Sequence, residues 1–278
     1  MTSADQPAAP LLAVDKLEVV YKRAITAVQG ISLVVQPGQI VAVLGTNGAG
    51  KTTTLRAISG FLGIDDARVT EGSITFKGRR IEGVAPHQIA RRGIALVPER
   101  EKVFPNLTVI ENLTAPTAAG IGRAEQKRRE DLVYHYFPRL AELRPRIGGL
   151  LSGGERQMLA IGSALVCHPE LLMIDELSLG LAPIVVESLA ERLVEIRRDL
   201  GITILLVEQS ASVALAIADY GYVLENGRVV LDGDAARLRD HADIKEFYLG
   251  QASTGEASGK RRSYRDIKQY RRSRRWYG

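Results

Sequence analysis

A glycine-rich segment near the amino terminus holds the first residues that could do chemistry. Gly45-Thr-Asn-Gly-Ala-Gly-Lys51-Thr52 matches the spacing of a phosphate-binding loop in full. Glycines at this spacing let the backbone wrap closely around phosphate, so that successive N–H groups point inward. Lys51 can then reach the β- and γ-phosphates of a nucleotide, and Thr52 can offer an oxygen to Mg²⁺. The residues expected to bind nucleotide here are Gly45, Asn47, Gly48, Ala49, Gly50, Lys51, Thr52 and Thr53.

Two adjacent acids follow an apolar run much later in the chain. The run Leu171–Ile174 ends at Asp175 and Glu176. A buried strand of this kind would deliver Asp175 to its carboxyl end, where the carboxylate can hold the Mg²⁺ shell. Glu176 would then be placed to orient or deprotonate an attacking water. Because two carboxylates at one strand end repel each other unless a cation lies between them, the pair itself favours a cation site.

A third motif, LSGGE, contains Ser152, Gly153, Gly154 and Glu155. The hydroxyl and the backbone N–H groups of such a segment can make a second anion site at the start of a helix. Ser152 with Glu155 three residues later is also a capping box, which is an ordinary way to begin a helix. Both interpretations can hold together, and the sequence leaves open which phosphate this motif would serve.

The elements that must position these residues follow an α/β pattern. Residues 11–36 read as strands, Ile40–Leu44 is typical of a strand buried on both faces, and Lys51–Ile58 begins a helix. Tight turns are predicted at Lys77-Gly78 and Asn226-Gly227. Further strands are predicted at Ile94–Val97, Leu171–Ile174 and Ile202–Val207, and a helical region from Thr108 to about Arg146.

A length of 278 residues and an ordinary composition fit one large globular domain, or one domain with a sizeable subdomain. The single cysteine, Cys167, cannot form an internal disulfide, which fits a reducing compartment, and its apolar neighbours predict a buried thiol. The longest apolar runs hold about ten residues, whereas a membrane helix needs about 20, so we expect no spanning segment. The first ten residues lack the pattern of a signal peptide.

These motifs, in this order, resemble the ATPase domain of the ABC transporter family. The resemblance covers about residues 11–250 and implies an α/β fold, an ABC-type P-loop ATPase. Its parts would be a RecA-like parallel sheet core, an N-terminal antiparallel β subdomain and an inserted helical subdomain at about 100–155. It also implies that the chain binds ATP and Mg²⁺ and hydrolyses the ATP. In the family two such domains meet head to tail, so Ser152, Gly153, Gly154 and Glu155 would contact ATP held by the partner.

Tyr21 matches the family's aromatic residue that stacks on adenine, and an ordinary strand tyrosine is the alternative. Glu99 stands where most members have glutamine, and would offer a charged oxygen to the Mg²⁺ shell. Gln209 stands where most have a histidine beside the γ-phosphate, and cannot become cationic. Leu177 replaces a usual proline and Ser163 a common arginine, with no consequence that the sequence reveals.

A closer resemblance is to the ATPases of branched-chain amino acid importers. It is carried by LVPEREKVFPNLTVIENL, LSGGERQMLAIG, DELSLGLAP, LLVEQ and GYVLENGRVVLDGD. That subfamily has both the Glu99 and the Gln209 change in one of its two ATPases. If the partner carries histidine at the Gln209 position, the two ATP sites differ. We therefore expect a heterodimer with slower hydrolysis at this chain's site, a homodimer being the alternative.

The resemblance also implies partners and a location. They would be two transmembrane permease subunits, a second ATPase subunit and, indirectly, an extracytoplasmic solute-binding protein, at the cytoplasmic face of the plasma membrane. The segment Glu99–Asn112 would receive a short helix from a permease. Val103, Phe104 and Leu107 either contact that helix or pack in the core of the helical subdomain. The transported solute is not encoded in this chain, because related importers also move urea, amides and organic acids.

The ends of the chain are expected to lie outside the folded domain. Residues 1–10 are predicted to be flexible and 251–278 to form a basic tail, disordered unless bound. Lys260–Arg275 holds nine basic residues and one acid, so the rest of the chain is mildly acidic despite a net charge of +5. The tail could be inert, lie on anionic lipid or the permease, or bind nucleic acid. We favour lipid or permease over nucleic acid.

Two rival functions are considered. A soluble ABC ATPase that acts on nucleic acid or ribosomes would usually carry a coiled-coil insertion or two ATPase domains. This chain has one phosphate loop, one LSGGE motif and no long heptad run. An exporter ATPase is often fused to membrane helices and lacks the importer-like stretches. We therefore favour the importer.

Overall fold

The computed structural model describes residues 9–100, 102–117, 121–241 and residue 244. The predicted basic tail at 251–278 and residues 1–8 of the predicted flexible N-terminus lie outside these residues. Within the described part, no helix is both long enough and apolar enough to cross a membrane.

The strands form two sheets. They are β1 (Leu12–Tyr21), β2 (Ile25–Val35), β3 (Ile40–Gly45), β4 (Ala67–Phe76), β5 (Arg79–Arg80), β6 (Ile94–Val97), β7 (Leu171–Asp175), β8 (Thr203–Glu208), β9 (Tyr220–Glu225) and β10 (Arg228–Asp234). The central sheet has the order β10-β9-β3-β8-β7-β6, with only β10 antiparallel to its neighbour. The second sheet, β2-β1-β4-β5, is antiparallel throughout. Both sheets agree with the predicted parallel core and N-terminal antiparallel part.

Helices connect the strands and cover the central sheet. They are α1 (Lys51–Ser59), α2 (Pro86–Arg91), α3 (Val109–Thr114), α4 (Arg123–Tyr136), α5 (Pro138–Glu142), α6 (Gly153–Leu165), α7 (Pro183–Leu200), α8 (Ala211–Ile217) and α9 (Ala235–Asp240). The helical region expected from Thr108 to about Arg146 consists of three helices. Pro116 follows the end of α3, and Pro138 cannot continue α4. They lie in the range 100–155 predicted for the inserted subdomain, whose boundaries stay a prediction.

The central sheet separates two apolar cores. Along β3, Ile40, Ala42 and Leu44 face the core beneath α6, α7 and α8, whereas Val41 and Val43 face the core beneath α1 and the antiparallel sheet. A parallel sheet covered on both faces needs apolar residues at every position. That requirement explains the unbroken apolar runs that predict β3, β7 and β8. The parallel pairing of these strands places their carboxyl ends at one edge of the sheet.

Two sequence predictions have clear outcomes in this framework. The Asn226-Gly227 turn joins β9 to β10, and both residues have positive φ, 50° and 73°, as a tight hairpin turn requires. The prediction that Cys167 is buried is wrong, because its thiol is exposed. Cys167 lies just past the last turn of α6, where its Sγ atom is 3.6 Å from the carbonyl oxygen of Pro116.

Candidate active site

The phosphate loop lies between the end of β3 and the first turn of α1. Lys51 is buried, and its ammonium donates hydrogen bonds to the carbonyl oxygens of Gly45 at 2.9 Å and Thr46 at 3.3 Å. Asn47 and Gly48 are exposed at the tip, whereas Ala49 is buried. The Lys51 side chain therefore folds back onto the first two residues of the loop, which places its positive charge beside the loop backbone.

Long-range contacts fix the shape of this loop. Gly50 has φ 98°, and a Cβ atom there would lie 2.9 Å from the carbonyl oxygen of Ala27 in β2. On the other side, the Gly227 amide donates to the carbonyl oxygen of Ala49 at 3.1 Å, and its own carbonyl accepts from the Gln29 amide at 2.7 Å. The loop is thus held between the antiparallel sheet and the β9–β10 turn.

The first turn of α1 is open to an anion. Gly50 is its N-cap residue, no side chain caps it, and no acidic residue lies in the first turn. The N–H groups of a first turn have no partner within the helix, and the helix dipole gives them a positive potential. A phosphate group is the natural acceptor for such N–H groups.

The loop meets the carboxyl end of β7. The Thr52 hydroxyl donates to Asp175 Oδ1 at 3.3 Å, and Lys51 Nζ lies 3.5 Å from Glu176 Oε1. Residues that are 123 positions apart in sequence thereby form one cluster. The hydroxyl and carboxylate oxygens are the ligand types that Mg²⁺ prefers, so these residues fit that ion.

Burial raises the pKa of Asp175 to about 6, and the charges of Glu176 and Glu99 contribute to the rise. The Thr52 hydrogen bond and the Lys51 charge act in the opposite direction. An ionised carboxylate in this place is therefore disfavoured until a further cation arrives.

The end of the neighbouring strand β8 completes this edge. Glu176 has φ 54°, and its amide donates to the carbonyl oxygen of Val207 at 2.9 Å. Glu208 is fully buried, and its carboxylate accepts hydrogen bonds from the amide and the hydroxyl of Ser178. Burial raises the pKa of Glu208, while the bonds from Ser178 lower it. Gln209 follows and is partly exposed.

Tyr21 and Glu99 approach the site from two sides. The Tyr21 hydroxyl lies 3.2 Å from Thr53 Oγ1, which places the end of β1 beside α1. Glu99 is partly exposed, interacts electrostatically with Asp175, and pairs with Arg100 at 3.1 Å. The sequence-predicted residues of the loop, β1, β6 and β7 are therefore brought together.

The LSGGE motif lies elsewhere on the chain. Ser152 caps α6 in a full capping box with Glu155, as the sequence predicts. Glu155 also pairs with Arg139 of α5 at 3.1 Å, and its pKa is lowered first by the Ser152 amide. A Cβ atom added to Gly154 would lie 2.8 Å from the Cγ1 atom of Val185, at the start of α7. Neither Arg139 nor Val185 belongs to the phosphate loop, and Gly153 lines a cavity of about 820 Å³ together with Glu99 and Lys102.

Sequence reasoning missed two residues of this region, Lys102 and Glu208. Lys102 donates to the buried side chain of Gln157, burial lowers its pKa, and it interacts with the charges of Glu99, Asp175 and Glu208. Nothing in the pattern around Lys102 indicates these contacts. Glu208 could have been found, because a carboxylate at the end of an apolar strand is the signal that identifies Asp175.

One known protein family matches the part of the chain that contains the phosphate loop, the acidic end of β7 and the LSGGE motif. A family model described as "ABC transporter" matches residues 28–178, which is more than half of the chain. The chain belongs to the ABC transporter family of ATPases. The predicted family, the ABC-type P-loop fold and the ATP-hydrolysing activity coupled to transport are thereby confirmed.

Two curated members of the family illustrate the relationship. The chain is 42% identical over 240 residues to the high-affinity branched-chain amino acid transport ATP-binding protein BraG of Pseudomonas aeruginosa, covering 86% of this chain and all of BraG. It is 31% identical over 226 residues to the lipopolysaccharide export system ATP-binding protein LptB of Haemophilus influenzae, covering 81% of this chain and 91% of LptB.

A solved structure supports the ABC fold directly. A crystal structure of the ADP conformation of an ATP-binding cassette from an ABC transporter superposes with a TM-score of 0.75 at 25% identity. The match covers 87% of this chain and all of that one. The ABC ATPase described here therefore shares the fold of a solved ATP-binding cassette.

Proposed function

We propose that this ABC ATPase uses ATP and Mg²⁺ to power the uptake of branched-chain amino acids, or a related small polar solute, through a separate permease. The observation that carries the proposal is the cluster in which Lys51 lies beside Glu176 and Thr52 beside Asp175. This cluster combines a cationic side chain that can bind phosphate, two candidate metal ligands and a candidate base at one edge of the central sheet.

The phosphate end of ATP would lie on the loop. The backbone N–H groups of residues 45–52 and the first turn of α1 would surround the phosphates, and Lys51 would contact the β- and γ-phosphates. Thr52, Asp175 and Glu99 would hold Mg²⁺ directly or through its water shell. When bound, Mg²⁺ would neutralise the charge that develops on the phosphate oxygens.

Hydrolysis would use the two residues at neighbouring strand ends. Glu176 would orient the attacking water and accept its proton, because its carboxylate lies beside the Lys51 ammonium, which would contact the γ-phosphate. Gln209 would donate a hydrogen bond to the γ-phosphate through its amide. Without the cationic form that a histidine could adopt, this residue would stabilise the transition-state charge less.

Tyr21 would contact the base of the nucleotide. It ends β1, where it pairs with Ile25 and Ala67, and its hydroxyl reaches Thr53 in the first turn of α1, next to the phosphate loop. A ring in that position can stack on adenine, and stacking of this kind contributes about 1–3 kcal/mol.

A second ATPase would complete each ATP site. Ser152, Gly153, Gly154 and Glu155 lie at the start of α6 and not in this chain's own phosphate loop, and they would act on ATP that is bound to a partner. Because Gln209 departs from the usual histidine, we propose a heterodimer of two different ATPases with slower hydrolysis at this chain's site. Glu→Gln changes at the catalytic position of each chain in turn would test this, and equal losses of turnover would count against it.

The solute class rests on the relationship to BraG and on the importer-like stretches. BraG, the relative named for branched-chain amino acid transport, is 42% identical, whereas LptB, named for lipopolysaccharide export, is 31% identical. This difference favours an importer over an exporter as the complex that the chain serves. Action on nucleic acid or ribosomes is the remaining alternative.

A groove between α2, β6, α3 and α6 is the candidate docking site for the permease. Its volume is about 370 Å³, and Phe61, Phe104 and Cys167 are among its lining residues. Phe104 is 59% exposed, whereas Val103 packs against the main core. Of the predicted contact residues, Phe104 therefore suits an apolar helix of a membrane subunit, and Val103 suits the core.

Through this docking the chain would lie at the cytoplasmic face of the plasma membrane, with a solute-binding protein acting from the other side. The basic tail at 251–278 would contact anionic lipid or the permease. Sedimentation with anionic liposomes, with and without residues 260–278, tests the lipid contact. Equal sedimentation of the two forms would contradict it.

Purification of the tagged chain from gently solubilised membranes tests the whole proposal. We expect two multispanning proteins and a second, different ATPase to accompany it, and the permeases would then identify the solute. Recovery of the chain with ribosomes or DNA, and without membrane proteins, would overturn the transport assignment while leaving the ATPase intact.

The docking groove offers a matched control for that purification. Phe104→Asp should remove the permeases from the purified complex, because it places a charge in the apolar groove. Ile64→Asp changes a residue that is 75% exposed and does not line the groove, and the permeases should remain. Cys167, the single cysteine, reports on the same groove, and its labelling by a maleimide should slow in the complex.

A further inference from the structure

The backbone at Glu176 has an unusual conformation for a residue proposed to act on water. Its φ of 54° lies in the left-handed region, which a non-glycine residue adopts only where its surroundings hold it there. The next residue, Leu177, is fully buried in the main core. The turn that aims the Glu176 carboxylate therefore needs restraint on both sides.

Two consecutive residues at the end of β8 supply this restraint. The amide of Glu176 donates to the carbonyl oxygen of Val207 at 2.9 Å. The amide and the hydroxyl of Ser178 donate to the two carboxylate oxygens of Glu208, each at 2.8 Å. The residues at and just beyond the turn are thus attached to one neighbouring strand.

Glu208 uses both of its oxygens for this attachment. The residue has no exposed surface, and an ionised carboxylate in such a place is unfavourable unless its oxygens accept hydrogen bonds. Both of these bonds come from Ser178, two positions beyond Glu176, while a backbone hydrogen bond from Ser210 and the charge of Glu176 also act on the Glu208 carboxylate. The charge of Lys102 also acts on Glu208.

We propose that Glu208 is a positioning residue for ATP hydrolysis, which holds Ser178 and thereby fixes the turn that aims Glu176 at the attacking water. The inference rests on the role proposed above for Glu176. The end of β8 would then serve the site through two consecutive residues. Glu208 would hold Ser178, and Gln209 would donate to the γ-phosphate. Glu208 itself has no contact with the reacting atoms in this scheme.

The shape of the Glu208 side chain, more than its charge, matters for this role. A glutamine has the same shape, and its oxygen could accept from the Ser178 amide while its NH₂ group donates to the Ser178 hydroxyl. A general base in this position would behave differently, because glutamine cannot accept a proton. The pair of variants Glu208→Gln and Glu208→Ala therefore separates positioning from proton transfer.

The first test measures ATP turnover in the purified complex. For Glu208→Ala we expect kcat to fall at least about tenfold, with KM for ATP changed less than about threefold. Glu208→Gln should stay within about threefold of the unaltered complex in kcat. Ser178→Ala should cause a smaller loss than Glu208→Ala, and the double change should be no worse than Glu208→Ala alone, since both act through one contact.

A control variant and a second readout separate positioning from general destabilisation. Glu130→Ala removes another buried carboxylate, in α4, and should leave kcat unchanged. Amide hydrogen exchange on the isolated full-length chain should be faster at Ser178 and Glu176 in Glu208→Ala, and unchanged in Glu208→Gln. This readout needs no ATP turnover, so it decides on Glu208 even if the proposed transport function fails.

Two results would overturn the inference. One is a Glu208→Gln variant as slow as Glu208→Ala, which would assign the carboxylate a role that depends on its charge or proton. The other is unchanged exchange at Glu176 and Ser178 in Glu208→Ala. If that variant does not fold, Ser178→Ala supplies the decision, because unchanged exchange and unchanged kcat in it would equally contradict positioning.

Discussion

The ammonium group of Lys51 lies 3.5 Å from the carboxylate of Glu176, and both residues are buried. The two groups proposed to flank the γ-phosphate of ATP therefore lie close enough to attract each other. A γ-phosphate that enters the site competes with Glu176 for Lys51. Its arrival would release the carboxylate to interact with water.

Replacement of Glu176 by glutamine separates binding from hydrolysis. Glu176→Gln removes the candidate base and also the charge that competes for Lys51. We expect kcat for ATP hydrolysis to fall about 10²- to 10⁴-fold, and ATP affinity to be equal or higher. Steady-state turnover and nucleotide titration of the same preparation check this. A variant that loses ATP affinity in proportion to its activity would contradict the assigned role.

The raised pKa of Asp175 predicts a pH-dependent stability. Between its ordinary pKa of about 4 and the value of about 6 in the folded chain, the folded state binds more protons. Stability therefore falls as the pH rises through this window. In the chain without nucleotide, Asp175→Asn should raise Tm by about 2–4 °C near pH 7.5, because it removes the buried charge.

The same substitution carries its own control at low pH. Near pH 4.5 Asp175 is already protonated in the folded chain, so Asp175→Asn should change Tm little. Melting curves at both pH values, without Mg²⁺ or nucleotide, provide the comparison. An equal gain at both pH values would show that the effect comes from packing and not from the charge.

Tyr21 offers a comparison between ring and hydroxyl. Tyr21→Ala removes the ring and should weaken ATP binding about 5- to 150-fold, the equivalent of about 1–3 kcal/mol of stacking. Tyr21→Phe removes only the hydroxyl contact with Thr53 and should bind ATP within about twofold of the unaltered chain. Fluorescence titration with a nucleotide analogue measures both. Similar losses in the two variants would assign the effect to the hydroxyl contact.

Ser152 should affect stability and turnover through different partners. Ser152→Ala removes the N-cap of α6 and should lower the free energy of unfolding by about 0.5–2 kcal/mol. ATP binding to the isolated chain should not change, because Ser152 would contact ATP on the partner. Turnover of the assembled complex should fall. Ser152→Thr keeps a capping hydroxyl and serves as the control. Weaker ATP binding by the isolated Ser152→Ala chain would contradict the proposal that Ser152 contacts only ATP on the partner.

The fold and much of the site follow from local rules that leave a clear pattern in the sequence. A strand buried on both faces must be apolar throughout, so β3 and β7 are visible as runs. The residues that end them, Gly45 and Asp175, are then placed at one sheet edge by the parallel arrangement alone. The capping box at Ser152 is equally local, since its two partners are three residues apart.

What the sequence does not predict depends on contacts between distant segments. The Lys102–Gln157 hydrogen bond joins residues 55 positions apart, and no periodicity marks either of them. The exposure of Cys167 depends on where α6 ends relative to the groove, which its apolar neighbours do not indicate. Leu177 illustrates the same limit. The sequence shows only that Leu177 replaces a usual proline, whereas the structure shows that its side chain is fully buried beside the Glu176 turn.

The hydrogen bond from Gly227 to Ala49 makes the phosphate loop depend on a turn that is synthesised 178 residues later. During translation, the loop sequence leaves the ribosome long before the residue that holds it. A nascent chain that ends before Gly227 has every phosphate ligand of the loop but lacks the contact that sets its shape. Nucleotide affinity should therefore be acquired late, when the chain is nearly complete, and arrested chains of graded length would reveal that step.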